Sequence, residues 1–166
     1  QGGPSSCQGI CGDGSLRGEE SCDDGGRVDG DGCGSNCRTE SGWFCGGTPS
    51  VCFPVCGDGN KQGDEVCDDG NTKDHDGCSA NCRGLEVGFN CVVRERDRTT
   101  CSPICADGMA FPDVGEQCDD GNTENNDGCS SDCHLEHGWV CDWIVGQRSV
   151  CKADCGDGLR LELEQC

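Results

Sequence analysis

Tyrosine is absent, methionine occurs once, and aromatic residues make up only 4% of the 166 residues. A chain so poor in large apolar side chains cannot bury one continuous core of the usual kind. Basic residues are scarce too: 12 Lys and Arg face 32 Asp and Glu, a formal net charge of -20. That balance disfavours nucleic acid and anionic membrane surfaces as partners. No apolar run approaches the roughly 20 residues of a membrane span, so no direct membrane insertion is expected and any attachment lies outside these residues. No stretch keeps a 3.6-residue apolar period, which predicts almost no helix. There is no Asn-X-Ser/Thr acceptor, and N-glycosylation is not expected. HExxH, Ser-His-Asp and phosphate-loop patterns are missing as well, so no catalytic residue is assigned and an enzyme is not expected.

What the chain has in place of a core is cysteine, 21 residues of it, together with 29 glycines. That density marks a disulfide scaffold, in which covalent links constrain the unfolded chain at ~2–4 kcal/mol per bridge. Such bridges persist in oxidising compartments, so the expected location is extracellular, secreted or at a cell surface. The cysteines are periodic. The stretch Cys56–Cys78, CGDGNKQGDEVCDDGNTKDHDGC, recurs at Cys11–Cys33 and Cys105–Cys129, and a fourth copy starts at Cys155. This divides the chain into 1–10 (a lead-in, 1–6, and the end of a preceding repeat), 11–55, 56–104, 105–154 and 155–166. A period near 50 residues is the mark of a tandem array. The fold class expected is therefore an elongated array of small disulfide-rich repeats, made of short β-hairpins and irregular loops.

Each full repeat carries six cysteines: 11, 22, 33, 37, 45 and 52; then 56, 67, 78, 82, 91 and 101; then 105, 118, 129, 133, 141 and 151. Structural disulfides are expected of them rather than zinc, because His75, His134 and His137 do not recur in register. Six cysteines allow 15 pairings, and the spacing does not choose among them. Second to third cysteine is constant at 11, whereas fifth to sixth varies from seven to ten, as an exposed hairpin tip or loop does. That variable loop holds Arg94-Glu95-Arg96-Asp97-Arg98 in the second repeat and Trp143-Ile144-Val145 in the third. Asp-Gly pairs such as Asp13-Gly14, Asp24-Gly25 and Asp31-Gly32 mark tight turns at the corners.

Carboxylates recur beside the second and third cysteines: Glu20, Glu65 and Glu116 before the second, and Asp23, Asp24, Asp31, Asp68, Asp69, Asp76, Asp119, Asp120 and Asp127 around the two. Calcium is one reading of these nine aspartates, since crowded carboxylates gain from a hard cation. Asx-turns that tie down loop N–H groups are the other. The spacing does not fit an EF-hand. One aromatic recurs after glycine, at Trp43, Phe89 and Trp139, where packing on a disulfide is expected and stacking on a sugar is the alternative.

The string CGDG…E-x-CDDGN…DGCS-x-x-C…E-x-G-W-x-C resembles the myxobacterial cysteine-rich disulfide repeat, an uncharacterised family of extracellular domains, over practically the whole chain. Cys105-Ala106, Gly25-Gly26 and Phe89 depart from the pattern. The resemblance implies large modular secreted or surface proteins and supplies no activity. Two functional readings stand. One is a spacer, adhesive stalk or fibre protomer that meets copies of itself or further repeats; the other is a ligand-binding module, calcium-dependent where the aspartates hold the ion, that takes an extracellular protein or glycan through its variable loops. An odd cysteine count and a fourth copy ending at Cys166 lead to the expectation that the chain continues or joins another.

Overall fold

A computed structural model describes residues 9–95 and 97–156. Expectations placed on the lead-in, Cys7, Arg96, Cys166 and most of the fourth copy lie outside the described residues. Strand β1 (Trp43–Gly46) pairs antiparallel with β2 (Val51–Pro54), β3 (Phe89–Val92) with β4 (Thr100–Pro103), and β5 (Trp139–Asp142) with β6 (Val150–Ala153). A 3-10 turn at Pro112–Val114 is the one helical element among the described residues. Side chains alternate along each strand. In β1, Trp43 and Cys45 are half-buried while Phe44 and Gly46 are exposed, as a period of two requires.

The register sets Cys45 opposite Cys52, Cys91 opposite Cys101 and Cys141 opposite Cys151. Each pair is bonded across its hairpin, with Cα atoms 4.0 to 4.1 Å apart. The variable spacing is thus the hairpin tip. Ahead of every hairpin lies a nested pair of bridges, Cys22–Cys33 inside Cys11–Cys37, Cys67–Cys78 inside Cys56–Cys82, and Cys118–Cys129 inside Cys105–Cys133. One pairing holds in all three repeats: first to fourth, second to third, fifth to sixth. Buried sulfur makes the interior, since the second, third and fourth cysteines of each repeat form its buried apolar cluster. With all six oxidised, no thiolate remains there for zinc. Small disulfide units of this kind stand where a shared apolar core would otherwise be needed.

A hydroxyl ties hairpin to loops. Ser50, Thr99 and Ser149 stand two residues before the sixth cysteine and are 6%, 1% and 3% exposed. Each side-chain oxygen accepts the backbone N–H of Asp23, Asp68 or Asp119 at 3.0 Å. Each returns its own N–H to the carbonyl of the same aspartate at 2.6–2.7 Å. Thr99→Val keeps the shape and leaves the Asp68 N–H buried without an acceptor. The expected cost is about 1–3 kcal/mol, read as a lower unfolding midpoint together with faster amide exchange at Asp68.

Candidate functional site

The recurrent carboxylates are a dense set of chemically capable side chains, and most of them are occupied by backbone. Asp23 Oδ2 accepts the N–H groups of Gly12 and Asp13 at 3.0 and 3.2 Å, and Oδ1 those of Gly14 and Gly25 at 2.9 Å. Asp68 does the same with Gly57, Asp58, Gly59 and Gly70 at 2.8–3.2 Å. Both are fully buried. Burial pushes the Asp23 carboxyl up, but the four N–H donors together hold it below the usual carboxylate range. The conformation that aims four amides at one carboxylate needs left-handed backbone, supplied by Gly12, Gly14 and Gly25 at φ 84°, 75° and 87°.

A second carboxylate in each repeat, Glu40, Glu86 or Glu136, collects amides of the turn before the third cysteine. Glu86 takes those of His75, Asp76 and Gly77 at 2.8–3.0 Å. Glu40 takes those of Gly30 and Gly32 at 2.8 Å, and Glu136 those of Asn126 and Gly128 at 2.8–2.9 Å. A third, Glu20, Glu65 or Glu116, accepts through Oε2 the N–H of Arg17, Gln62 or Phe111 at 2.8–2.9 Å. Its other oxygen is buried without a hydrogen-bond partner in all three repeats. Burial, with Asp119 and Asp107 nearby, outweighs the Phe111 N–H and pushes Glu116 up to about 7. Burial raises Glu65 likewise; the Gln62 N–H opposes the shift, and the charges of Asp68, Asp58 and Asp64 add to it.

The nine aspartates read as calcium ligands therefore separate. Asp23, Asp68 and Asp119 hold amides, and a cation could take their oxygens only by displacing those donors. Asp24 and Asp31 do not meet: Asp24 accepts the Gly26 N–H at 2.8 Å, and Asp31 is exposed. Asp69 and Asp76 do meet, as do Asp120 and Asp127. Asn71 Nδ2 donates to Asp69 Oδ1 at 3.1 Å and to Asp76 Oδ2 at 2.9 Å. Asn122 Nδ2 donates to Asp127 Oδ2 at 2.9 Å. Asp69 and Asp120 are each 7% exposed, and Oδ1 of Asp76 and of Asp127 is buried with no partner. Burial, then the facing carboxylate of Asp76, pushes Asp69 up to about 6, and Asp120 is raised in the same sense by burial and Asp127. Gly26 stands where Asn71 and Asn122 stand, so the first repeat lacks the bridging amide. Glu65 also lies beside the sulfurs of Cys56 and Cys82, but those form one disulfide and offer no thiolate ligand.

Two of the recurrent aromatics, Trp43 and Phe89, sit where one repeat meets the next. A Cβ on Gly32 would lie 2.7 Å from the Trp43 ring, and one on Gly63 of the second repeat would lie equally close to its far edge. Gln62 Nε2 donates to Gly42 O at 2.8 Å and Ser41 O at 3.3 Å across the same junction. At the next junction Phe111 stands in the place of Gln62, six residues after the first cysteine; it is 3% exposed and its ring lies 4.5 Å from that of Phe89. Beside it is a cleft of about 520 Å³ lined by His75, Asp76, Phe111, Pro112 and Val145 among others. Its lining holds no serine, threonine or cysteine nucleophile.

Sequence reasoning passed over the Ser50, Thr99 and Ser149 hydroxyls and met Glu40, Glu86 and Glu136 only as the first letter of E-x-G-W-x-C, without a role, although both sets stand at fixed offsets from a cysteine or the Gly-aromatic pair. It did single out Ala106. That residue lies at φ 69°, where an L side chain is strained. Among the described donors Asp119 receives the N–H groups of Asp107, Gly108 and Gly121, one fewer than Asp23 or Asp68. Ala106→Gly is expected to stabilise the third repeat by about 1 kcal/mol, measured as a higher unfolding midpoint; no gain would refute the strain.

Residues 5–38, 39–83 and 87–134 each match one family, described as a domain of unknown function (DUF4215). A stretch of 64 residues is 44% identical to pappalysin-1 of Homo sapiens and 42% identical to pappalysin-1 of Mus musculus. That stretch covers 39% of this chain and only 4% of either relative. The second match, 39–83, joins the β1–β2 hairpin to the nested bridges that follow it, the two parts that Gln62 and Trp43 hold together. With three consecutive matches over most of its length, the chain belongs to the DUF4215 family of cysteine-rich repeat domains.

Proposed function

We propose that the chain is a non-catalytic extracellular spacer, a stalk or fibre element whose repeats set distance between whatever lies at its ends. The observation that supports this reading is the junction: among the described residues the first repeat touches the second through half-buried Trp43 and the Gln62 to Gly42 bond, and the second touches the third through buried Phe111 against Phe89. Among the described residues no hydrogen bond, ion pair or ring contact joins the first repeat to the third. An array built of nearest-neighbour contacts lengthens with every unit added. Further repeats or copies of the same chain are its expected partners, and secretion or display at a cell surface its expected place. Small-angle scattering of the chain and of versions carrying additional repeats tests this. The maximum dimension is expected to grow in proportion to repeat number, and a compact particle of constant shape would refute it.

Recognition of an extracellular protein is the second reading, favoured by one surface. Phe44 and Phe53 are register partners on the outer face of the β1–β2 hairpin, 67% and 54% exposed. The corresponding positions are Asn90 and Ser102 in the second hairpin and Val140 and Lys152 in the third. Trp143 and Ile144, in the β5–β6 tip, are exposed as well. A face that changes from repeat to repeat on a constant frame suits selective contact better than spacing alone.

Calcium belongs to either reading at two places, Asp69–Asp76 and Asp120–Asp127, where the unpartnered Oδ1 atoms lie. Calorimetry is expected to find two sites per chain among the described repeats, one of them lost in Asp76→Asn, with Asp31→Asn silent. An absence of binding heat, or a site lost with Asp31, would remove the ion from the proposal.

A further inference from the structure

The third recurrent carboxylate has two properties that together bear on how stiff the array is. First, it holds the residue that reaches the preceding repeat. Glu65 accepts the N–H of Gln62, whose side chain bonds to Ser41 and Gly42. Glu116 accepts the N–H of Phe111, whose ring packs at a tilt against Phe89. Second, it is trapped. Glu65 and Glu116 are 6% and 3% exposed, and Oε1 of each is buried with no partner.

The neighbouring charges that raise them are acidic: Asp58, Asp64 and Asp68 around Glu65, with Asp64 itself paired to Arg83, and Asp107 and Asp119 around Glu116. The Cys56–Cys82 and Cys105–Cys133 disulfides, the latter through Cys133, supply the apolar side of each pocket. A neutral carboxyl sits in such a pocket without penalty from its neighbours. An ionised one has no cation, no donor for its second oxygen and several like charges nearby, so water must reach it.

We propose that Glu65 and Glu116 are proton-operated fasteners of the repeat junctions. When protonated they seat Gln62 and Phe111 against the preceding repeat; when ionised they draw water in, release those two amides and turn each junction into a hinge. The raised carboxyls agree in sense. A group that binds its proton more tightly in the closed form stabilises that form at low pH. For Glu116 the contribution is present at pH 4.5 and is lost as pH rises through about 7. The inference deepens the spacer reading, giving the same array a stiffness set by pH.

The full chain carries the test. Residual dipolar couplings are expected to fit a common alignment for successive repeats at pH 5.5 and separate alignments at pH 8.5. Amide protection at Phe111, corrected for intrinsic exchange, is expected to fall by up to roughly tenfold per pH unit between pH 4.5 and about 7, where Glu116 is ionised only in the open form, and to level off above that; Gln62 is expected to follow Glu65 in the same sense. Glu65→Gln and Glu116→Gln, neutral at every pH, are expected to keep the common alignment and the protection at pH 8.5. His75 lies beside the Phe111 ring, with centroids 6.5 Å apart, so the second junction is read in a His75→Gln background. The first junction has no such neighbour. Alignments that ignore pH in the unaltered chain would overturn the proposal, as would an equal loss in the glutamine variants. Neither result touches the spacer reading, which fails only if the particle does not lengthen with added repeats.

Discussion

A buried carboxylate with no cation beside it must be satisfied by backbone N–H groups, and this requirement shapes every repeat. The Cys22–Cys33 and Cys11–Cys37 bridges bring two loops together, and Asp23 then gathers amides from both of them. In an ordinary domain those amides would be satisfied by helices or sheets. Here the strands are four residues long, and aspartate and glutamate do the work of a ladder. The sulfurs and the carboxylates are complementary. Disulfides limit how far the loops can move apart, and the carboxylates decide how the chain runs between them.

That division explains what the sequence discloses and what it hides. The repeat, the disulfide class, the turn glycines and the hairpin tip were all legible, because each rests on spacing or on a local residue preference. The pairing was not, since spacing of 11 between Cys67 and Cys78 fits several connectivities until the fold sets Cys56 against Cys82. The acids were half legible. Their recurrence marked them as important, but a calcium loop and an amide-binding loop use the same residues at similar spacing. Only the direction of the Gly57, Asp58 and Gly59 N–H groups assigns Asp68 to the backbone. Thr99 was invisible for a different reason: its partner, Asp68, is 31 residues away in the chain.

The three repeats also act as a natural series of substitutions on one frame. Replacing Asn71 by its counterpart Gly26 separates the two carboxylates that Asn71 bridges in the second repeat. Replacing glycine by Ala106 keeps the loop but strains it and leaves Asp119 with one donor fewer. Replacing Gln62 by its counterpart Phe111 puts a ring contact into a junction where the second repeat relies on a hydrogen-bonding amide. None of these changes disturbs the pairing of the six cysteines. The covalent frame tolerates change in the loops, which leaves junctions and outer faces free to differ.

A net charge of -20 on such a frame looks at first like a burden, because like charges repel and the chain has no large core to resist them. Part of that charge lies inside: Asp23, Asp68 and Asp119 are buried and face amides rather than one another. Other acids lack such donors on one oxygen, at defined places: Glu65 and Glu116 at the junctions, and the Asp69–Asp76 and Asp120–Asp127 pairs beside the nested bridges. At these positions burial and neighbouring acids raise the carboxyls toward neutrality. The acids that build the fold are thus distinguished from those that remain sensitive to their surroundings by one feature, whether backbone N–H groups reach both of their oxygens.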